Sequence, residues 1–297
     1  MHAQDLLARR FEDRRPHLRA VAFRMLGSAA EADDAVQDAW FRYAAATDGA
    51  ITDTIENLDG WLTTVVSRIC LDRLRARAAR REDPLDSAFG AAAADGDPEH
   101  EAVLIDSVGR ALLVVLDTLG PDERVAFVLH DMFAIPFDQI APIVGRTTAT
   151  TKKLASRARV RARGESASDP EIGNHRAVVE AFLAAAREGD LSALLAVLAP
   201  DVVRTADPVA LPAGMAAVVR GAQAVAKETV VLQRRSQFAV TALVDGAVGV
   251  LVAPHAKLAL ALRVTVLGNQ ISAYEVIADP RRLHTLDLAV IPDTATI

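Results

Sequence analysis

Two runs of cations are the residues of this sequence best suited by type and spacing to meet a polyanion. In the first, Arg68, Arg73, Arg75, Arg77 and Arg80 stand against the single acid Asp72, far more positive charge than a helix C-terminal dipole calls for. In the second, Arg146, Lys152, Lys153, Arg157 and Arg159 lie in a stretch, residues 146–163, without one acid. Long cations reach phosphates, each neutralised phosphate steepening the salt dependence of binding. The short hydroxyls of Thr148 and Thr151, at the head of the second run, could lie close to base edges. Either run alone could be a solvated helix face; two in separate blocks point to a bipartite DNA reader. A third set, Asp34, Gln37, Asp38 and Phe41, follows the i, i+3, i+4, i+7 spacing of one helix face and ends on an aromatic residue, and by itself it has the form of an ordinary outer face.

Other chemistry has weaker support. Asp201, Asp207, His255 and Glu275 could pair carboxylate and histidine for general acid–base work. The sequence carries no Cys/His metal spacing, phosphate-binding glycine loop or nucleophile elbow, so neither metal, cofactor nor enzymatic turnover is expected. The single cysteine, Cys70, cannot form an internal disulfide, which is compatible with a reducing cytoplasm. The start, MHAQDLLARRFEDRRPHLR, has no apolar core of a secretory signal. The most apolar stretch, 247–268, is broken by Pro254, His255, Lys257 and Arg263, and no membrane span is read. A cytoplasmic protein is therefore expected. The net charge of −6 makes any basic surface local.

The elements that must position these residues fall into blocks. A length of 297 residues suits about two domains of ordinary size, and two polar Gly/Pro-bearing segments, 82–101 and 164–173, read as linkers. They leave helical blocks at 1–81 and 102–163 and a third block at 174–297. In the first, Ser28 with Glu31 has the form of a capping box ahead of Ala32, Ala35, Val36, Ala39, Trp40 and Tyr43 at helical spacing. A second helix starts near Asp59, with Trp61, Leu62, Val65, Val66, Ile69 and Leu74 for its core. In the second block, helices at 122–132, 137–144 and 148–163 around Gly145-Arg146-Thr147 have the layout of a helix-turn-helix, with Pro142 expected to strain or kink the middle one. The third block opens with two helices broken at Gly189-Asp190 and stopped at Pro200-Asp201. A strand, a third helix over 221–233 and an alternating apolar pattern follow, with Asp245-Gly246 and Gly268-Asn269 as hairpin turns. Helices followed by an antiparallel meander predict an α+β cone.

In this order the residues resemble the extracytoplasmic-function sigma factors of bacterial RNA polymerase. LRAVAFRMLGSAAEADDAVQDAWFRY resembles the start of their region 2, GWLTTVVSRICLDRLRARAARRE its promoter-reading end, and LDTLGPDERVAFVLHDMFAIPFDQIAPIVGRTTATTKKLASRARVRAR region 4. The third block is similar to SnoaL-like members of the NTF2-like superfamily, and the whole resembles the sigma-factor subgroup with a fused SnoaL-like domain. Two of that subgroup's motifs are replaced, by REDPLDSAF and by TADPVALPAG, while Asp279, Pro280, Arg281, Arg282 and Leu283 resemble its Asn-Pro-Asp-Lys-Leu ending.

The resemblance implies a multidomain chain, two all-α sigma domains followed by the α+β NTF2-like cone, with core RNA polymerase and promoter DNA as partners. Asp34, Gln37, Asp38 and Phe41 would dock on the polymerase clamp helices. Arg68, Arg73, Arg75, Arg77 and Arg80 would engage the −10 element, and Arg146, Thr148, Thr151, Lys152, Lys153, Arg157 and Arg159 the −35 element. The cone would regulate in cis through residues 279–283, with Arg281 and Arg282 meeting Asp83, Asp86, Asp95 and Asp97 of the acidic linker. A ligand-sensing regulator, a small-molecule ligand in the cone and an isomerase or cyclase cone are the alternatives carried forward.

Overall fold

A computed structural model describes residues 3–48, 57–81, 107–163, 170–212 and 214–291 of the chain. The described residues form two compact units. One comprises Met1–Glu101 with Leu119–Arg159, the other Ala102–Thr118 with Val160–Ile297. The 102–163 block is thus divided between them.

The first unit is helical: α1 (Ala3–Glu12), α2 (Arg15–Leu26), α3 (Ala29–Asp48) and α4 (Leu58–Arg81). Ser28 Oγ accepts the Glu31 amide at 3.4 Å, but the Glu31 carboxylate takes Arg77 instead of closing the box. Asn57 Oδ1 accepts the Gly60 amide at 3.0 Å and starts α4, satisfying an otherwise orphaned N-terminal donor. Ala32, Ala35, Val36, Ala39 and Tyr43 of α3 and Leu62, Val66, Ile69 and Leu74 of α4 are buried, while Trp40, Trp61 and Val65 are partly covered. Phe11, Trp40, Tyr43 and Trp61 form one aromatic cluster with ring centroids 5.2–6.4 Å apart.

The same unit contains α6 (Pro121–Phe127), α7 (Phe137–Val144) and the start of the helix Thr148–Arg163. The expected helix to Met132 departs from α-geometry: Val128–Met132 is a π-turn. There His130 stacks on Phe137 at 3.7 Å and its Nδ1 lies 3.0 Å from the Ile135 carbonyl. Helix α7 runs through Pro142 and ends at Gly145, whose φ of 70° is left-handed. Pro142 is exposed and close to that end, so the missing donor interrupts little of the helix.

The second unit begins with α5 (Ser107–Thr118), which packs on strands of its sheet. Ala111, Leu113, Val114, Val115 and Leu116 are all buried, so this helix is apolar nearly all round and needs cover on more than one side. Beyond α8 (Thr148–Arg163) come α9 (Pro170–Glu188), α10 (Leu191–Val197), β1 (Leu198–Ala206), β2 (Val218–Arg220), α11 (Ala222–Val231) and α12 (Gln233–Ser236). The unit closes with β3 (Ala239–Val244), β4 (Ala247–Val252), β5 (Leu260–Leu267), β6 (Gln270–Ile277), α13 (Pro280–Thr285) and β7 (Leu288–Ala289). The sheet order is β2-β1-β6-β5-β4-β3-β7, with β1 and β6 parallel and the other pairs antiparallel. This is a mixed sheet with helices on it, in the manner of an NTF2-like cone.

Two expectations for this block change. Helix α9 already starts at Pro170, so the end of the 164–173 segment is helix; the 82–101 linker and residues 164–169 lie outside the described residues. The strand runs through Pro200-Asp201 from Leu198, and its register against β6 shifts between Leu198 and Val203, the irregularity that admits a proline in a strand. The hairpins form as read: Asp245 and Gly246 have φ of 52° and 79°, as a type I′ turn requires, and Gly268 has φ 60°. A Cβ on Gly249 would lie 2.5 Å from the Leu262 carbonyl, so the close approach of β4 to β5 depends on glycine.

Candidate functional site

Asp34, Gln37, Asp38 and Phe41 line the outer face of α3, all exposed, with Phe41 58% accessible. Burial of Ala32, Ala35, Val36 and Ala39 fixes which way α3 turns and leaves the stripe outward. Asp38 also accepts Arg73 Nη2 at 2.7 Å, tying the stripe to α4.

The arginines of α4 do unlike things. Arg73 Nη1 donates to the Glu31 carbonyl at 3.0 Å, and Arg77 pairs with the Glu31 carboxylate and reaches the Leu26 carbonyl. Both therefore staple α4 to neighbouring helices, a structural use the sequence reading did not assign them. Arg80 is exposed and donates to the Ala76 carbonyl of its own helix. Arg68 donates to the Pro142 carbonyl at 3.4 Å. Arg75 Nη2 donates to Asp122 Oδ1 at 2.8 Å and to the Val144 carbonyl at 3.1 Å.

Helix α8 presents Lys152, Lys153 and Arg157 outward, with Thr148 exposed at its start. Thr151 is a correction: it is wholly buried and its hydroxyl donates to the Thr147 carbonyl at 3.0 Å, so it offers nothing to a base. Thr147 Oγ1 caps the helix by accepting the Thr150 amide at 3.2 Å. Arg146 bonds Asp122 Oδ2 at 3.3 Å, Arg157 lies 3.4 Å from Glu123, and Arg159 Nε donates to Asp131 at 2.7 Å. These three acids, two in α6 and one in the π-turn after it, escaped the sequence reading. Their only signal is that they precede an acid-free cationic helix, and nothing in a linear sequence says which cation each meets.

The lone thiol, Cys70, is buried and its pKa is pushed up to about 12 by burial, against the lowering fields of Arg73 and Arg124; it stays a protonated core residue.

In the second unit Arg282 holds Asp207 at 2.5 Å and Glu275 at 2.6 Å, and Glu275 also receives Arg263 at 3.2 Å. Burial raises the Asp207 carboxyl, but the Asp279 and Ala278 amides, each at 3.0 Å, and Arg282 outweigh it and hold it below the usual value. Asp279 caps α13 through the Arg281 and Arg282 amides, and Leu283 is buried. Arg282 is thus paired inside this unit; Asp83, Asp86, Asp95 and Asp97 of the acidic linker lie outside the described residues, and Arg281 is exposed. Asp201 is exposed on β1, far in pairing register from Glu275, which faces Thr205. His255 follows β4 in a 3-10 turn. Sequence reading also missed Arg204, 3% accessible, which donates to the Ala216 carbonyl at 2.7 Å and pairs with Glu228. Among the described residues, no three His, Cys, Asp or Glu side chains gather to hold a metal, and no helix is long and apolar enough to cross a membrane.

Residues 10–80 match the family description of Sigma-70 region 2, and residues 109–161 that of Sigma-70 region 4. The chain is 41% identical over 213 residues to a probable ECF RNA polymerase sigma factor SigI of Mycobacterium tuberculosis, covering 70% of this chain and 72% of that one. This chain belongs to the ECF RNA polymerase sigma factors. It is also 41% identical over 208 residues to the ECF RNA polymerase sigma factor SigJ of M. tuberculosis, covering 66% of this chain and 64% of that one. The crystal structure of that extracytoplasmic-function sigma factor SigJ shares 32% identity and a TM-score of 0.44, covering 95% of this chain and 98% of that chain. In sigma-factor terms, α2, α3 and α4 fall in the region 2 match, and α5 through α8 fall in the region 4 match, which α5 and α8 overrun by about two residues at its ends.

Proposed function

We propose that the protein binds core RNA polymerase and directs initiation at a two-element promoter, with domains at 1–81, 102–163 and 174–297 joined by the segments 82–101 and 164–173, the second of which ends in the first residues of α9. The observation that carries this reading is the succession of both sigma regions in one chain, each bearing its own cationic helix. Asp34, Gln37, Asp38 and Phe41 serve as the polymerase face. Arg68, Arg75 and Arg80 serve the −10 element, with Arg73 and Arg77 fixing the helix that carries them. Arg146, Lys152, Lys153, Arg157 and Arg159 grip −35 phosphates, and Thr148 contributes to base choice.

The SnoaL-like third domain regulates these regions in cis, its covalent link keeping its effective concentration high. It works without turnover: Asp207 and Glu275 are already committed to Arg282, and Asp207, held below its usual value, is a poor proton donor.

The polymerase contact is tested by the double variant Asp34→Arg, Phe41→Ala, which spares the Asp38–Arg73 pair. Co-purification with core enzyme should fall about tenfold or more, a loss on the scale of an interface anchor, with the helical circular dichroism unchanged. Retention at the wild-type level would show that α3 is not the docking face.

A further inference from the structure

The two carboxylate oxygens of Asp122 are divided between the two DNA-reading elements. Oδ1 takes Arg75 from the region 2 helix, at 2.8 Å from Nη2 and 3.1 Å from Nε. Oδ2 takes Arg146 from the turn before the region 4 recognition helix, at 3.3 Å. Beside them, the C-terminal carbonyls of α7 accept two region 2 arginines, Arg68 at Pro142 and Arg75 at Val144. A carboxylate and the negative end of a helix offer a guanidinium what a phosphate offers it: fixed acceptor oxygens and opposite charge. All these residues belong to one compact unit.

We propose that Asp122 is the clasp of a self-closed state in which regions 2 and 4 occupy each other's DNA-binding cations, and that DNA phosphates open it by taking over Arg75 and Arg146. The proposal rests on the promoter-binding reading above. Two further observations support it. Arg124, on the same helix as Asp122, is 2% accessible, and a Cβ on Gly27 at the end of α2 would lie 3.5 Å from its Nη2, so the contact between the regions is packed and not only a surface bridge. Asp122 sits in the first turn of α6, the end of a helix where acidic side chains are favoured. The side chains of Arg75 and Arg146 are 46% and 55% exposed. Pairs this open are weak and screened by salt, which suits a closure that DNA must be able to reverse.

The test uses the full-length protein spin-labelled at Ala45→Cys in region 2 and Gln139→Cys in region 4, both exposed positions; buried Cys70 stays unlabelled. Pulsed electron resonance then reads the distance between labels. Wild type is expected to give one short-distance population that lengthens on adding a random-sequence DNA duplex. Asp122→Asn should populate the longer distance without DNA and bind the duplex about threefold or more tightly, the scale of losing a weak competing pair. Asp131→Asn removes the same charge from a pair confined to region 4, Asp131 with Arg159, and should keep the wild-type distances, separating closure from net charge. Should Asp122→Asn fail to fold, salt supplies a second measurement on wild type: raising it from about 0.1 M to about 1 M should lengthen the distance. Identical distances in Asp122→Asn and wild type, or wild-type distances unmoved by saturating duplex, would overturn the clasp. Opening in Asp122→Asn with no duplex binding by any variant would uphold the closure and overturn the promoter reading instead.

Discussion

Charged side chains in this chain divide by partner more than by position. Arg73 and Arg77 lie in the same basic run as Arg68 and Arg75, yet the first two hold α4 to Glu31 and its neighbours while the latter reach region 4. Thr151 and Thr148 are close in sequence, and one turns into the helix while the other faces out. The sequence made the residue types of the site legible, and in the α3 stripe also their exposure, because helical spacing dictates facing. It could not separate a stapling arginine from a DNA-reading one, since that depends on acids brought in from distant segments. The Asp207–Arg282–Glu275 network is the same case, and it makes a pH prediction. Asp207 titrates below its unfolded value, so its contribution to stability is complete above about pH 3.9, the model-peptide value, and is lost as pH falls through the lower folded value. Asp207→Asn should therefore melt at lower temperature than wild type at neutral pH, and the gap should close below about pH 3.9. A gap that stays constant down to acid pH, followed by calorimetry, would show that this carboxylate is not what Arg282 stabilises.

Helices and hairpins were the elements most readable in advance. The caps, the 3.6-residue spacing and the Asp245-Gly246 and Gly268-Asn269 turns are local signals, and they correspond to α3, α4, α9, α10 and the β3–β4 and β5–β6 hairpins. What stayed hidden depends on distant partners: the three-residue edge strand β2, the two-residue β7, and the parallel pairing of β1 with β6. The π-turn at Val128–Met132 was hidden for a related reason, since the His130–Phe137 contact beside it is a tertiary one. Helix α8 bears its own prediction. Lys152 and Lys153 are exposed, and no carboxylate among the described residues pairs with them. Each change to Ala should weaken DNA binding across sequences and lower the slope of log affinity against log salt by about one unit. Thr148→Ala should leave that slope alone and shift base preference. A slope unchanged in both lysine variants, measured by fluorescence anisotropy over a salt series, would remove α8 from the phosphate contacts.

At the scale of the whole molecule, two compact units are built from one chain whose region 4 match spans the division between them. The family and its order of regions were legible because the motifs are long and specific; the division was not, because α5 looks like any apolar helix until the sheet that covers it is known. Promoter selection by this chain on core polymerase is tested most directly by run-off transcription on a library of templates with randomised upstream sequence, using core enzyme freed of other sigma factors and the full-length protein. Transcripts are expected only when the protein is present, from templates that share two sequence elements at a fixed separation. Transcripts no more abundant than with core enzyme alone, or drawn from templates with no shared elements, would contradict it.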